Sequence, residues 1–404
     1  MMIDEAWQKI RQAAMDVLHP DEKTLRHGLE LHAESYVFDA YGFSPNGSGY
    51  SPRVQLLADS GASRDELRRA SEEARMCSCF DDPEVCKKLK AAWEFAGVDC
   101  NFQNSGLEGN DPVEMLYRLS NYTNVADRLT DVYERAVYPW QLPGIKERGH
   151  RAIYMTTNGV PLADHKISTE ESLNLIGVFF RLGVRMMHLT YNRRNLIGDG
   201  CAESADAGLS DFGRDVIAEM NRVGVLVDVA HSGQKTSYDA AKASIKPMVA
   251  SHSAAGALST HYRAKSDEVI QAIKETGGFV GICGHPPFLQ GSMDLNAMLD
   301  HIEYVARKFG VDHVAIGTDN GMPPLNDGDS EMPAMPKTRP IWEQFWTPPG
   351  AGYELMTKEQ YDSVLWLNWP MYTVGLVQRG FTDDEIRKII GGNVLRVITE
   401  ILEK

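Results

Sequence analysis

Residues 221–263 read NRVGVLVDVAHSGQKTSYDAAKASIKPMVASHSAAGALSTHYR, and this stretch decides the fold. Val225–Val229 and Pro247–Ala250 are short, apolar and rich in β-branched residues, the composition of buried strands. Ser237–Ser244 between them reads as a helix, so the three make a strand–helix–strand unit with parallel strands. Parallel neighbours set their C-terminal ends side by side. Each of these strands runs into a histidine, His231 and His252, so two imidazoles are expected together at one rim of a sheet, as a metal site requires.

Working outward, strands are expected at Tyr36–Tyr41, Val98–Gln103, Ala152–Thr156 and Val184–Thr190 before this pair, and at Phe279–Cys283 and His313–Gly317 after it. Helical patterns fill the gaps at 64–96, 111–138, 170–182, 210–222 (with Ser210 as N-cap), 267–275 and 295–309. Eight strands alternating with helices predict an α/β fold, the (β/α)8 TIM barrel. An open doubly wound sheet competes, but no Gly-rich phosphate loop follows the first strand. Residues 4–18 and 21–33 are helical around Pro20, so residues 1–35 read as an N-terminal helical extension to a barrel spanning 36–404. Residues 321–354 are rich in Pro, Met and aromatic residues without periodicity, a lid-like loop past the last strand; 357–403 return to helix.

The 404 residues carry 41 Lys and Arg against 56 Asp and Glu, a net charge of −15. That balance argues against nucleic acid or an anionic membrane surface as partner. The first residues show no apolar signal core and no apolar run is long enough to span a bilayer, so a cytoplasmic protein with six reduced cysteines is expected.

Barrel chemistry sits at strand C-termini. Those ends offer Tyr41, Asn104, Thr157 or Asn158, Tyr191, His231, His252, His285 and Asp319. His231 and His252 are the expected metal ligands. Asp319 can ligate the metal, take a proton from its water, or both. Arg263, on a loop eleven residues past His252, suits a substrate carboxylate. His188, three residues before Tyr191, is expected to point the opposite way and pack between barrel and helices. His285 is given no part in the site.

Several motifs in order resemble the membrane (renal) dipeptidase family, peptidase family M19 of the amidohydrolase superfamily. They are LGVRMMHLTYN (182–192), LSDFGRDVIAEMNRVGVLVDVAHSG (209–233), PMVASHSAAGAL (247–258), HVAIGTD (313–319) and IIGGNVLRV (389–397). The resemblance runs from about Tyr36 to Val397 and implies a barrel with two zinc ions sharing a bridging carboxylate, cleaving dipeptides and related amides. It places second-metal ligands on His231 and His252, a metal-binding, proton-transferring acid on Asp319, and a carboxylate-binding group on Arg263. It also exposes losses. FDAYGFSP (38–45) puts Tyr41 and Phe43 where the family has His-x-Asp, TTNGVPL (156–162) puts Asn158 (or Thr157) in place of the bridging glutamate, and Tyr191 replaces the carbonyl-polarising histidine.

The expectation is therefore a hydrolase of a dipeptide or small carboxylate-bearing amide with one zinc or other divalent ion, or none. His231, His252 and Asp319 hold the ion, Asp319 and Tyr191 do the chemistry, and Arg263, Tyr41 and Asn158 contact a small-molecule substrate. The alternatives are a non-peptidase reaction (decarboxylation, elimination or isomerisation) in the same barrel, or an inactive binding protein. A homodimer follows from the resemblance alone.

Overall fold

The computed structural model describes residues 4–80, 82–162, 168–337, 342, 345–346 and 350–402. Its centre is eight parallel strands: β1 (Phe38–Gly42), β2 (Cys100–Asn104), β3 (Arg151–Thr157), β4 (Val184–His188), β5 (Leu226–Asp228), β6 (Met248–Ala255), β7 (Phe279–Ile282) and β8 (Val314–Ile316). Each pairs with the next in chain order, with helices outside, and the barrel is nearly closed. At the β8–β1 seam, Thr318 donates to the Asp39 carboxylate through N (2.9 Å) and Oγ1 (2.6 Å), and Asp319 N donates to Tyr41 O at 2.8 Å. This is the TIM barrel that the strand count predicts.

Two helical expectations need correction. The helix expected over 111–138 is Pro112–Arg128, capped by Asp111, after which the β-favouring Val132 and Tyr133 lead into a short strand, Tyr133–Arg135, beside β3. The stretch 64–96 is two helices, Arg64–Cys77 and Pro83–Ala96, because Pro83 takes the first position of a new helix behind its N-cap Asp82. A further short strand, Ala264–Lys265, pairs with β6.

Side chains alternate along a strand, and this sorts the barrel interior into layers. Phe38, Phe102, Tyr154, Met186, Leu226, Val249, Phe279 and Ala315 share one apolar cluster, closed from below by Val394, Val397, Ile398 and Ile401 of the helix Asn393–Leu402. Each fully buried large apolar side chain is worth about 1.5–3 kcal/mol, so this floor is a stable platform. Two residues further along β4, β5 and β6, the same face carries His188, Asp228 and Ser251, all fully buried.

The N-terminal helices pack against the C-terminal segment, where Arg11 Nη2 donates to Leu367 O at 2.7 Å, and against the helix Pro83–Ala96, where it donates to Phe95 O at 3.1 Å. Described parts of the 321–354 loop touch rim loops. Arg193 Nε donates to Phe345 O (2.8 Å), Tyr262 OH to Gly350 O (3.0 Å), and Trp346 lies 5.3 Å from the Tyr262 ring. Residues 338–341, 343–344 and 347–349 of that loop lie outside the described residues. Among the described residues, no helix is long and apolar enough to cross a membrane.

Candidate functional site

His231 and His252 meet at the rim with Nε2 atoms 3.0 Å apart, both buried. His231 follows the turn that ends β5. His252 reaches the interior through a bulge: the β6–β7 register shifts between Ala250 and Ser253. The bulge drives Ser251 O into the barrel, where a Cβ on Gly281 or Gly317 would stand 1.9 or 2.0 Å from it. Glycine is required at both positions for that close approach.

The outer nitrogens fix the tautomers. His231 Nδ1 donates to Asn192 Oδ1 at 2.8 Å. Ser251 Oγ gives its proton to Asp228 and so accepts from His252 Nδ1 at 2.8 Å. Burial first, and the neighbouring Arg263 cation second, push both imidazoles well below their ordinary range, so both are neutral near pH 7. Two Nε2 lone pairs therefore face one another. A cation binding both at about 2.0–2.1 Å in tetrahedral geometry spans an N···N separation of about 3.3 Å, close to what these residues present. The donor set fits a divalent ion.

Asp319 completes the cluster, with Oδ2 3.9 Å from His252 Nε2. Its backbone is left-handed (φ 52°), a strained state for a non-glycine residue. It is held there by its N–H on Tyr41 O and by His285 Nε2, which donates to Asp319 O at 2.9 Å and lies 3.0 Å from Oδ2. Tyr353 of the 321–354 loop in turn donates to His285 Nδ1 at 3.0 Å. His285 thus faces the site, contrary to expectation.

His188 is the larger correction. The strand ends at His188, so alternation does not extend to Tyr191; with Met186 inward, His188 is inward too. Its ring centre lies 5.2 Å from that of His231 and 5.3 Å from that of His252. Its Nε2 stands 2.6 Å from Asp228 Oδ2, an ion-pair approach that does not line up as a hydrogen bond. His188, Asp228 and His252 also form a group of potential ligands within 4.8 Å of one another. Asp228 is a site residue missing from the sequence expectation, and its signal is the period-2 face it shares with the inward Leu226.

The two phenols flank the imidazoles. Tyr41 stacks on His252 (3.9 Å between ring centres) and Tyr191 on His231 (4.0 Å). Tyr41 OH donates to Asn158 Oδ1 at 2.6 Å, and Asn158 Nδ2 donates to Glu108 Oε1 at 3.2 Å. Burial, the largest cause, and nearby acids raise both phenols well above their usual range, so both stay protonated. Phe43 packs edge-on to Tyr41 and brings no donor atom. Arg263 is more deeply set than a loop position suggests, 1% exposed, donating to His252 O (2.8 Å) and Ala230 O (3.2 Å).

Histidines and an aspartate gathered at the C-terminal rim of a (β/α)8 barrel are the arrangement on which metal-dependent hydrolase barrels are built. Residues 97–337 match the model of the membrane dipeptidase family, Peptidase family M19, and the chain belongs to that family. It is 29% identical over 236 residues to Dipeptidase tcpJ of Claviceps purpurea (strain 20.1), a match covering 57% of this chain and 48% of that protein. The chain thus spans about half the length of this curated relative. Among solved structures it resembles an amidohydrolase from Pseudomonas aeruginosa (25% identity, TM-score 0.66, 93% of this chain and 98% of that one). The probable dipeptidase PvdM of the same organism shares the fold (19% identity, TM-score 0.64, 94% and 99% covered).

Proposed function

We propose that this protein is a dipeptidase-like metal-dependent amidohydrolase, acting on a dipeptide or small carboxylate-bearing amide with one metal ion. The observation that carries the reading is the pair of neutral imidazoles whose Nε2 atoms face each other at 3.0 Å beside Asp319. His231, His252 and Asp319 would hold the ion. Such an ion, when bound, polarises an amide carbonyl and acidifies water. Asp319 takes the proton of the attacking water and returns it to the leaving amine. Tyr191, kept protonated, donates its O–H to the developing oxyanion. Arg263, fixed by two backbone carbonyls, receives the substrate carboxylate.

A single ion is supported by the opposite wall. Phe43 offers no ligand, and the Tyr41 phenol is protonated and already bonded to Asn158. The test is hydrolysis of a dipeptide panel by protein as isolated, chelator-treated and zinc-reloaded. Activity should vanish on chelation and return with zinc. Full activity in metal-stripped protein, or none in any loaded form, would defeat the proposal.

A further inference from the structure

We propose that Tyr353 is a positioning residue for the general base: its hydroxyl sets the tautomer of His285, and His285 holds the Asp319 carboxylate toward His252. This rests on the amidohydrolase reading and gives the loop 321–354 a part in that site. His285 stands just past β7, in a segment laced to the end of β8. Gly284 N donates to Thr318 O (2.8 Å), and Asn320 Nδ2 donates to Gly284 O (2.5 Å). Between these two bonds, His285 Nε2 lies 2.9 Å from Asp319 O and 3.0 Å from its Oδ2. One imidazole N–H thus bridges the main-chain and carboxylate oxygens of a single residue. That residue is left-handed at φ 52°, a state a non-glycine residue keeps only where its surroundings hold it.

The bridge needs the ring proton on Nε2, and Tyr353 decides that. Its OH stands 3.0 Å from His285 Nδ1. Burial first, then the Asp319 charge, raise the phenol above its usual range, so it keeps its proton and donates it. Nδ1 is then the acceptor, and the imidazole proton sits on Nε2. The hydroxyl is placed by its own segment. Gly352 has a left-handed φ of 85°, and a Cβ there would stand 3.2 Å from Pro287 Cβ, so the turn closes against the residues that follow His285. Gly350 O, on the other side, accepts from Tyr262 OH at 3.0 Å. Without the Tyr353 hydroxyl, the imidazole proton is free to move to Nδ1. A bare Nε2 lone pair then faces two oxygens, and the hold on the carboxylate is lost.

The test is a double-variant cycle of Tyr353→Phe and His285→Ala, read by cobalt(II) affinity of the metal-stripped protein and by dipeptide hydrolysis. Phe removes only the hydroxyl at a position 41% exposed, so the urea midpoint should match wild type. Tyr353→Phe should weaken cobalt binding and lower kcat, each about two- to tenfold, the worth of one neutral hydrogen bond, with KM unchanged. His285→Ala should lose about 10–100-fold, as supporting groups of metal ligands do. His285→Gln, with an amide N–H for Asp319 O, should recover part of that loss. In the His285→Ala protein, adding Tyr353→Phe should change neither reading. Unchanged cobalt affinity and kcat in Tyr353→Phe, or the same fold loss with and without His285, would overturn the proposal. Hydrolysis with additive losses would keep the hydrolase reading and remove Tyr353 from it; coupled cobalt affinities without hydrolysis would do the reverse. Wild-type protein that binds no cobalt would overturn both.

Discussion

Replacing Asp228 by asparagine should damage both the stability of the barrel and its hold on metal. Asp228 is fully buried and accepts from Ala230 N (2.9 Å), Ser251 N (3.0 Å) and Ser251 Oγ, with His188 Nε2 at 2.6 Å. Burial pushes its carboxyl up, yet the His188 charge and the Ser251 hydrogen bonds together outweigh burial and hold it below the usual carboxylate range. Asparagine removes the charge and, in either orientation, turns a donor toward a pair of groups that face a carboxylate oxygen: the Ala230 and Ser251 N–H groups, or Ser251 Oγ and His188 Nε2. Removing one member of a buried pair costs about 3–5 kcal/mol. The Ser251 hydroxyl, released from the carboxylate, can donate to His252 Nδ1, which shifts the imidazole proton to Nε2 and blocks its lone pair. Changes to such supporting groups lower metal affinity about 10–100-fold. Urea unfolding and a zinc competition titration read the two effects separately. The double variant Asp228→Asn/His188→Gln should lose less than the sum of its singles, because no unpaired charge remains. Stability within about 0.5 kcal/mol of wild type, with unchanged zinc affinity, would refute this account.

Tyr191→Phe should lower kcat about 10²–10³-fold, the effect of losing one oxyanion donor, with little change in KM; a change confined to KM would make Tyr191 a binding group only. His32, bonded to Thr373 Oγ1 and Ala96 O, is pushed down to about 4, chiefly by burial. Its folded value lies below the unfolded one of about 6.5, so the stability it supports is complete above pH 6.5 and falls as pH drops toward 4, by up to about 3 kcal/mol. Urea midpoints at pH 7 and pH 4.5 should fall less in His32→Gln than in wild type; equal falls would contradict the assignment.

The barrel was legible because its signals are local. Each strand is a short apolar run between turn residues, and His231 and His252 stand at matching ends of consecutive strands. What escaped the sequence depends on tertiary detail. Alternation counted back from Tyr191 points His188 outward, because nothing local marks the end of the strand at His188, and Asp228 lies inside a hydrophobic run that reads as plain core. The bulge that turns His252 inward works because Gly281 and Gly317, far along the chain, clear space for Ser251 O. Tyr353 reaches the site across 68 residues through His285, a contact no spacing rule announces.

Metal content per chain, by elemental analysis after loosely bound ions are removed, tests the central claim most directly. One divalent ion per wild-type chain and none in His231→Ala is the predicted result. Two ions would mean that the wall of Tyr41, Phe43 and Asn158 holds a metal after all, and no ion in the wild-type protein would contradict the facing lone pairs of His231 and His252 as a metal centre.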